Sequence, residues 1–278
     1  MAKQLAFLVV AQNSPKYNRL RRWQEKTWVR DFKDIAQVFY VYGEESLEPS
    51  ENVGFEAFLE DPTIGKAQFT FPMIRERNGD LFCDSTGGWS ELLPNTLSAF
   101  KYLLDKYNFD FIIRTNLSTY WNQDRLLNLI EEQDSDLVFM GPTVSNDQET
   151  FVAGYAMIFS RNTIRKLIDN PDLINFKIID DVAISNSLVK QSIYPISIEL
   201  PWVTIRNFAS LLLPTKLRRY RPLAIKSILD LSRSIGIRCR EDRRIGPFNF
   251  RIDFVHYALI LLFTTREKRK RIKQNPIW

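Results

Sequence analysis

Residues 5–11 read LAFLVVA, a run of seven apolar residues near the start of the chain. An uncharged run of this length is typical of a buried strand in a sheet whose two faces are covered. The stretch that follows, Tyr17–Phe32, predicts a helix, and Gln37–Tyr42 predicts a second strand that ends at Gly43. Strand, helix and strand in this order predict an α/β domain.

The same alternation continues to about residue 200. Leu92–Tyr107 has apolar residues at 93, 97, 100, 103 and 104, the spacing of one helix face. We therefore predict one α/β domain over residues 1–206, with a Rossmann-type mixed sheet flanked by helices. Further strands are predicted over Leu81–Cys83, Phe109–Ile113, Leu137–Met140, Ala153–Phe159 and Ile193–Leu200, and further helices over Gln123–Gln133, Asn162–Asp169 and Ile184–Lys190.

Composition excludes several classes of protein. The chain has 278 residues, of which 45% are hydrophobic and 26% charged, as in an ordinary globular protein. Two cysteines cannot form a disulfide framework, and the single histidine, His256, excludes a His-rich metal site. The sequence contains neither G-x-G-x-x-G nor G-x-x-x-x-G-K, which argues against a Gly-rich dinucleotide site and against a P-loop.

Positive charge is concentrated at the end of the chain. Residues 216–278 contain 17 Lys or Arg and 5 Asp or Glu, whereas residues 1–215 contain 21 and 28. We predict a basic helical extension over residues 207–278, with a basic amphipathic helix at Leu223–Ser234 and a basic tail at Arg266–Lys273. Two interpretations stay open: contact with an anionic membrane surface, or a solvated helix with a frayed terminus.

The apolar run at Leu5–Ala11 is too short to span a bilayer, and no secretion-signal cleavage site follows it. We therefore expect a cytoplasmic protein, with the basic extension as a candidate for peripheral contact at the inner face of the membrane. No nucleic-acid partner is expected, because residues 216–278 contain no recognised nucleic-acid-binding motif.

Four segments, taken in order over about residues 5–200, resemble the β1,3-galactosyltransferase and Fringe-like glycosyltransferases. They are Arg21–Trp28, the stretch from Asp80 to Leu97, Arg114–Asn122, and Gly154–Ser160 followed by Ile178–Val182. Glu25 and Thr96 depart from the family pattern. The residues that match it are Arg21, Thr27, Trp28, Leu93, Leu97, Asn122, Gly154, Tyr155, Ser160, Asp180, Asp181 and Val182.

This resemblance implies a fold of the GT-A type and the transfer of a hexose, with inversion, from a nucleotide sugar. The implied acceptor is a saccharide or a lipid-linked saccharide. In this chain Asn116-Leu117-Ser118 stands where the family keeps its metal-binding aspartates. Because Asn and Ser supply only neutral oxygens and Leu supplies none, we expect no tight Mg²⁺ or Mn²⁺ site and predict no cofactor.

A cluster of arginines offers another counter-charge for the departing diphosphate. Arg binds phosphate oxygens through a planar fork of donors, and we predict this role for Arg243 and Arg251. The alternative is a basic surface loop without a ligand. The cluster consists of Arg238, Arg240, Arg243, Arg244 and Arg251.

The acidic pair Asp180-Asp181 is the candidate catalytic site. By the resemblance, Asp181 is the general base that deprotonates the acceptor hydroxyl, and Asp180 orients the acceptor. The alternative is that both aspartates cap a helix that begins near Val182, and both roles are compatible.

Gln12 and Asn13 follow the first strand, where open α/β sheets bind ligands, so we predict that they contact the nucleotide, although Asn13-Ser14-Pro15 is also a favourable turn. A second function stays open, that of a catalytically inactive relative that binds a sugar or a protein partner. The resemblance adds Arg21, Arg114, Asn116 and Ser118 as donor-binding candidates, and Tyr155 as an acceptor-binding candidate. Trp89 ends the polar stretch Asp84–Trp89, which is a candidate sugar pocket for the acceptor or, alternatively, a glycine loop with a packed Trp.

Overall fold

The computed structural model describes residues 3–43, 71–85, 88–145, 149–198, 202–204 and 236–240. The chain divides into two units, Met1–Leu117 with Leu127–Glu199 and Ser118–Leu126 with Leu200–Trp278. The predicted boundary at residue 206 stays a prediction. The predicted helix Leu223–Ser234 and the basic tail Arg266–Lys273 lie outside the described residues.

The first unit contains a mixed sheet of eight strands. They are β1 (Leu5–Val10), β2 (Ala36–Gly43), β3 (Ile74–Arg77), β4 (Asp80–Cys83), β5 (Phe111–Asn116), β7 (Phe139–Gly141), β10 (Ala156–Ser160) and β11 (Ile196–Ser197). Their order in the sheet is β11-β7-β10-β5-β1-β2-β4-β3. Strands β1, β2, β4 and β5 run parallel, whereas β3 and β10 are antiparallel to their neighbours. The predicted mixed α/β sheet is confirmed. Outside this sheet, β8 (Thr143–Ser145) pairs with β9 (Thr150–Val152).

The apolar run predicted as a buried strand is the central strand β1. Its residues Leu5–Val9 are at most 1% exposed, and its neighbours are β2 and β5. Val10 lies opposite Val41 on one side and Asn116 on the other. The carboxyl ends of β1, β2 and β5 therefore meet at one edge of the sheet, which we call the carboxyl edge.

Helices cover both faces of the sheet. Phe7 packs against Trp28 and Phe32, with ring centroids 4.8 and 4.9 Å away. Its neighbour Leu8 belongs to the buried cluster on the opposite face, together with Phe100. Among the described helices, none has the length and apolar character needed to cross a bilayer. The helices are α1 (Pro15–Lys26), α2 (Trp28–Phe32), α3 (Leu92–Lys106), α4 (Gln123–Glu131), α5 (Arg161–Asp169) and α6 (Asp180–Lys190).

The helix predicted over Tyr17–Phe32 is broken at Thr27, which has φ −121° and ψ −111°. The Thr27 hydroxyl donates a hydrogen bond of 2.7 Å to the carbonyl oxygen of Trp23. Such local side-chain bonds compete with regular helix hydrogen bonding. The break lets α2 turn Trp28 onto the sheet, where it packs on Phe7.

The second unit contains a three-stranded sheet in the order β12-β13-β6. Its strands are β6 (Thr119–Trp121), β12 (Trp202–Thr204) and β13 (Gly236–Arg240). Strand β13 runs antiparallel to β6 and parallel to β12. After β6, the side chain of Asn122 accepts a 3.1 Å hydrogen bond from the backbone N–H of Arg125 in α4.

The thiol of Cys83 should be inert in the folded protein. Cys83 is fully buried, and burial raises the pKa of its thiol to about 12. Because the thiolate is the reactive species, a Cys239→Ser variant should not react with a thiol-specific reagent until it is unfolded. Labelling with and without guanidinium tests this, and rapid stoichiometric labelling of the folded variant would contradict it.

Candidate active site

A buried ion pair joins β5 to the start of α6. Arg114 lies in β5 with 3% of its surface exposed, and Asp180, the first residue of α6, is 6% exposed. Nη2 of Arg114 donates a hydrogen bond to Oδ2 of Asp180. Because an unpaired buried charge is very costly, this contact fixes the first turn of α6 against the sheet.

Gly154 lies beside both Arg114 and Asp181. A Cβ atom at position 154 would stand 2.3 Å from Nη1 of Arg114 and 3.2 Å from Cβ of Asp181. Contacts between real Cβ atoms and heavy atoms do not fall to 2.3 Å. A larger residue at position 154 would therefore displace the end of the Arg114 side chain from its observed place.

The Asp181 carboxylate is held by two backbone N–H groups. Oδ2 accepts a 3.0 Å hydrogen bond from Gly154, and Oδ1 accepts one of 3.0 Å from Val182. The prediction that both aspartates cap a helix near Val182 is wrong, because α6 begins at Asp180, its N-cap is Ile179, and Asp180 pairs with Arg114. The Asp181 side chain accepts a hydrogen bond from the free N–H of Val182 within the first turn. The side chain of Asp181 is half-buried, so part of it remains exposed to solvent.

Burial raises the pKa of Asp181 above the usual value for an aspartate, and the negative charge of Asp180 raises it further. The hydrogen bonds from Gly154 and Val182 and the charge of Arg114 act in the opposite direction. A carboxylate with a raised pKa binds a proton more strongly than an ordinary one. Chemically, Asp181 can accept a proton from a nearby hydroxyl, provided that it is ionised.

Two of the other predicted residues, Asn116 and Tyr155, lie at the carboxyl edge of the sheet in the first unit. Asn116 is the last residue of β5, and its carbonyl oxygen accepts a 3.1 Å hydrogen bond from Nε2 of Gln24. Tyr155 is 3% exposed, and its carbonyl oxygen accepts a 2.9 Å bond from Thr115 Oγ1. Ser118 lies in the second unit and is half-buried. The binding roles of these residues stay predictions.

Gln12 and Asn13 form the turn that follows β1. The carbonyl oxygen of Gln12 accepts a 3.1 Å bond from the N–H of Ser14, and Asn13 Oδ1 accepts one of 3.3 Å from Asn18 Nδ2. The chain bends at Ser14 and enters α1 at Pro15, and the predicted nucleotide contact stays a prediction. Trp89 lies in a short 3₁₀ helix, Trp89–Glu91.

A small pocket opens at the carboxyl edge beside this turn. Its volume is about 30 Å³, about the space of one water molecule. Within it, Asn95 is 6% exposed, and its Oδ1 has no hydrogen-bond partner among the described residues. Asn95 was not predicted from the sequence, although an amide side chain on the buried face of a helix marks such a position. The lining residues are Val10, Ala11, Val41, Gly43, Gly88, Leu92, Asn95 and Thr96.

Arg21 is held by the protein itself. Its guanidinium donates to Glu25 at 2.7 Å, to the Tyr42 hydroxyl at 2.8 Å and to Asp80 at 2.5 Å. The same group lies 4.1 Å from the centre of the Tyr40 ring. These contacts join α1 to β2 and β4, and they account for Arg21 without a ligand.

The described residues do not fit a divalent cation. Positions 116–118 supply two neutral side-chain oxygens at most, and the Asp180 carboxylate is paired with Arg114. In the described ranges, no group of three or more His, Cys, Asp or Glu side chains is placed to hold a metal ion. The two arginines predicted to bind the diphosphate, Arg243 and Arg251, lie outside the described residues.

No protein-family model matches the chain. A search of curated protein sequences also gives no match. Among solved structures, the chain is similar to the apo-form glycosyltransferase GlyE of Streptococcus pneumoniae TIGR4, with 13% identity and a TM-score of 0.44 over 94% of this chain. This chain spans only 61% of the GlyE chain.

Two further structures are similar. The galactosyltransferase LgtC, solved with donor and acceptor sugar analogues, has 10% identity and a TM-score of 0.43, covering 96% of this chain and 99% of LgtC. A glycosyltransferase involved in glycosylation of the major capsid of PBCV-1 has 9% identity and a TM-score of 0.41, covering 92% of this chain and 99% of its own. The likeness is to glycosyltransferases. At this identity and these scores it carries no information on donor, acceptor, stereochemistry or metal use.

Replacement of Arg21 should weaken the fold rather than ligand binding. Arg21→Gln leaves Asp80 and Tyr42 without their charged partner, so the free energy of unfolding should fall by roughly 1–2 kcal/mol. Arg22→Gln is the matched control, because Arg22 is its exposed neighbour on α1. Chemical denaturation measures both variants. An unchanged unfolding free energy together with weaker binding of nucleotide diphosphates would instead support the predicted donor contact.

Proposed function

We propose that this chain is a glycosyltransferase that moves a hexose from a nucleotide sugar to a saccharide or lipid-linked saccharide acceptor, with inversion. The observation that carries the proposal is the Asp181 carboxylate, which two backbone N–H groups hold beside a buried Arg114–Asp180 ion pair. By the resemblance to the glycosyltransferase motifs, Asp181 is the residue that acts as the general base. Preorganised orientation of such a group is what efficient proton transfer requires.

The proposed reaction is a single displacement. The acceptor hydroxyl oxygen forms a bond to the anomeric carbon on the face opposite the nucleotide, and the bond from that carbon to the phosphate oxygen breaks. The nucleoside diphosphate leaves with the bonding electron pair. The hydroxyl proton passes to the ionised carboxylate of Asp181, so the sugar inverts its configuration and the charges balance.

The departing diphosphate needs a counter-charge. Because positions 116–118 carry no acidic side chain, we assign this role to Arg243 and Arg251, whose guanidinium groups suit phosphate oxygens. Gln12, Asn13, Asn116 and Ser118 remain the proposed contacts to the donor. The basic extension over residues 207–278 is proposed to meet an anionic membrane at the cytoplasmic face, which suits a lipid-linked acceptor.

Loss of the proposed base should abolish most of the transfer. Asp181→Asn removes the proton acceptor and keeps the side-chain size, so kcat should fall by about 10²–10⁴-fold. Asp172→Asn is the matched control, because Asp172 is exposed and lies before α6. Activity is measured over a panel of nucleotide sugars as release of nucleoside diphosphate, and a near-normal rate for Asp181→Asn would eliminate the assignment.

The same base predicts the acid side of the pH profile. Transfer requires ionised Asp181, so kcat/KM should fall as the pH decreases through the raised pKa of this carboxyl. The midpoint of that fall should therefore lie above the usual aspartate value of about 3.9. A profile that stays flat below pH 4 would contradict the assignment of Asp181 as the base.

Metal chelation should leave turnover intact. If arginines supply the counter-charge, EDTA should not change the rate, and Arg243→Ala or Arg251→Ala should reduce it by at least about 10²-fold. Arg30→Ala, at an exposed position of α2, is the control for loss of one positive charge. Activity that disappears with EDTA and returns with Mn²⁺ would overturn the metal-independent mechanism.

One observation favours a second function, that of an inactive relative which binds a sugar or a protein partner. The neutral residues Asn116, Leu117 and Ser118 stand where acidic residues are expected from the resemblance. Two measurements together separate the two functions: thermal shift with nucleotide diphosphates and nucleotide sugars, and release of nucleoside diphosphate over the same panel of nucleotide sugars. Stabilisation without any donor hydrolysis or transfer supports the inactive relative.

A further inference from the structure

The guanidinium of Arg114 makes unusually little use of its donors. Within the described chain its one side-chain hydrogen bond is to Asp180, and its Nε is buried without a partner. Burial of an ion pair is repaid in full only when further hydrogen bonds satisfy the remaining donors. Arg114 makes one such bond, so its effect on the site comes mainly from the position of its charge.

The position of that charge is set by the backbone beside it. Nη1 of Arg114 occupies the space that a Cβ atom of Gly154 would take. The N–H of the same Gly154 donates to the Asp181 carboxylate. The guanidinium and the Asp181 side chain therefore both lie beside this one glycine.

Two adjacent carboxylates share this one positive charge. The charged groups that face Asp181 from the described residues are Arg114 on β5 and Asp180 on α6. The remaining polar contacts to its carboxylate are the N–H groups of Gly154 and Val182. Since the direct ion pair is with Asp180, the two aspartates have different environments despite being neighbours in sequence.

We propose that Arg114 is a positioning residue: it clamps Asp180 and, through the space left by Gly154, keeps Asp181 ionised and oriented as the proton acceptor. This inference rests on the proposed function. It gives Arg114 a role other than the donor contact predicted from sequence. Asp180 then acts as the partner that immobilises the guanidinium, and Gly154 as the residue that admits it.

The first test is the protonation of Asp181 in the free protein, followed by ¹³C NMR of its carboxyl carbon. Arg114→Gln removes the positive charge that favours ionised Asp181, so the Asp181 titration should move upward by about one pH unit. The acid limb of kcat/KM should move with it, while KM for the donor stays unchanged. Arg165→Gln, at an exposed position of α5, should move neither.

Three further variants keep the test decisive if Arg114→Gln folds poorly. Arg114→Lys retains the charge and should hold the titration near that of the original protein. Arg114→Gln with Asp180→Asn removes both charges, and the titration should fall below that of Arg114→Gln alone, because the negative charge of Asp180 raises the pKa of Asp181. Gly154→Ala should raise the titration, and its effect should not add to that of Arg114→Gln.

An unchanged Asp181 titration in folded Arg114→Gln would overturn the inference. A higher KM for the donor, together with an unchanged acid limb of the kcat/KM profile, would also overturn the inference and would support the predicted donor contact. Because the NMR titration needs no substrate, it separates the two proposals. Shifted titrations in a protein that neither transfers nor hydrolyses any donor support the electrostatic role of Arg114 and refute the proposed transferase.

Discussion

A charge buried in the middle of a β-sheet constrains the whole candidate site. Arg114 lies in β5 next to the central strand, and its charge is met by Asp180 at the first residue of α6. Because breaking a buried pair leaves an uncompensated charge, the start of α6 has little freedom to move. The turn at Gly154 and the carboxylate of Asp181 take their places from that contact. The geometry of the site therefore follows from the need to neutralise the buried charge of Arg114.

The local sequence pattern predicted most strands of the sheet, but it did not predict a strand that depends on tertiary contacts. The apolar run at Leu5–Ala11 predicted β1 because a strand covered on both faces needs continuous apolar residues. Strand β3, for which the sequence predicted no strand, is held by Glu76. Its carboxylate accepts hydrogen bonds from the Tyr102 hydroxyl at 2.8 Å and from Lys106 at 2.7 Å on α3. The sequence around Glu76 does not reveal these contacts, because Tyr102 and Lys106 are far from it in the chain.

The candidate site was predictable in its residues but not in their arrangement. The adjacent aspartates were identified from the ordered motifs, but the helix expected to begin near Val182 begins at Asp180. The division into an ion-paired Asp180 and a backbone-held Asp181 depends on Arg114, which is 66 positions from Asp180 in the sequence. A pairing over that separation leaves no periodic pattern in the sequence. The close approach of Arg114 to Gly154 is likewise a contact in space, which sequence spacing does not reveal.

The two ends of the eight-stranded sheet bear on how the protein behaves at high concentration. Strand β3, at one end, presents Arg75 and Arg77 to solvent, and β11, at the other, has only two residues. The unpaired backbone groups of an edge strand can hydrogen-bond to a strand of another chain, and charged side chains or a very short strand prevent such pairing. The same contacts between Glu76 and α3 that fix β3 thus also keep a charged strand at the border. This arrangement disfavours edge-to-edge aggregation through either end of the sheet.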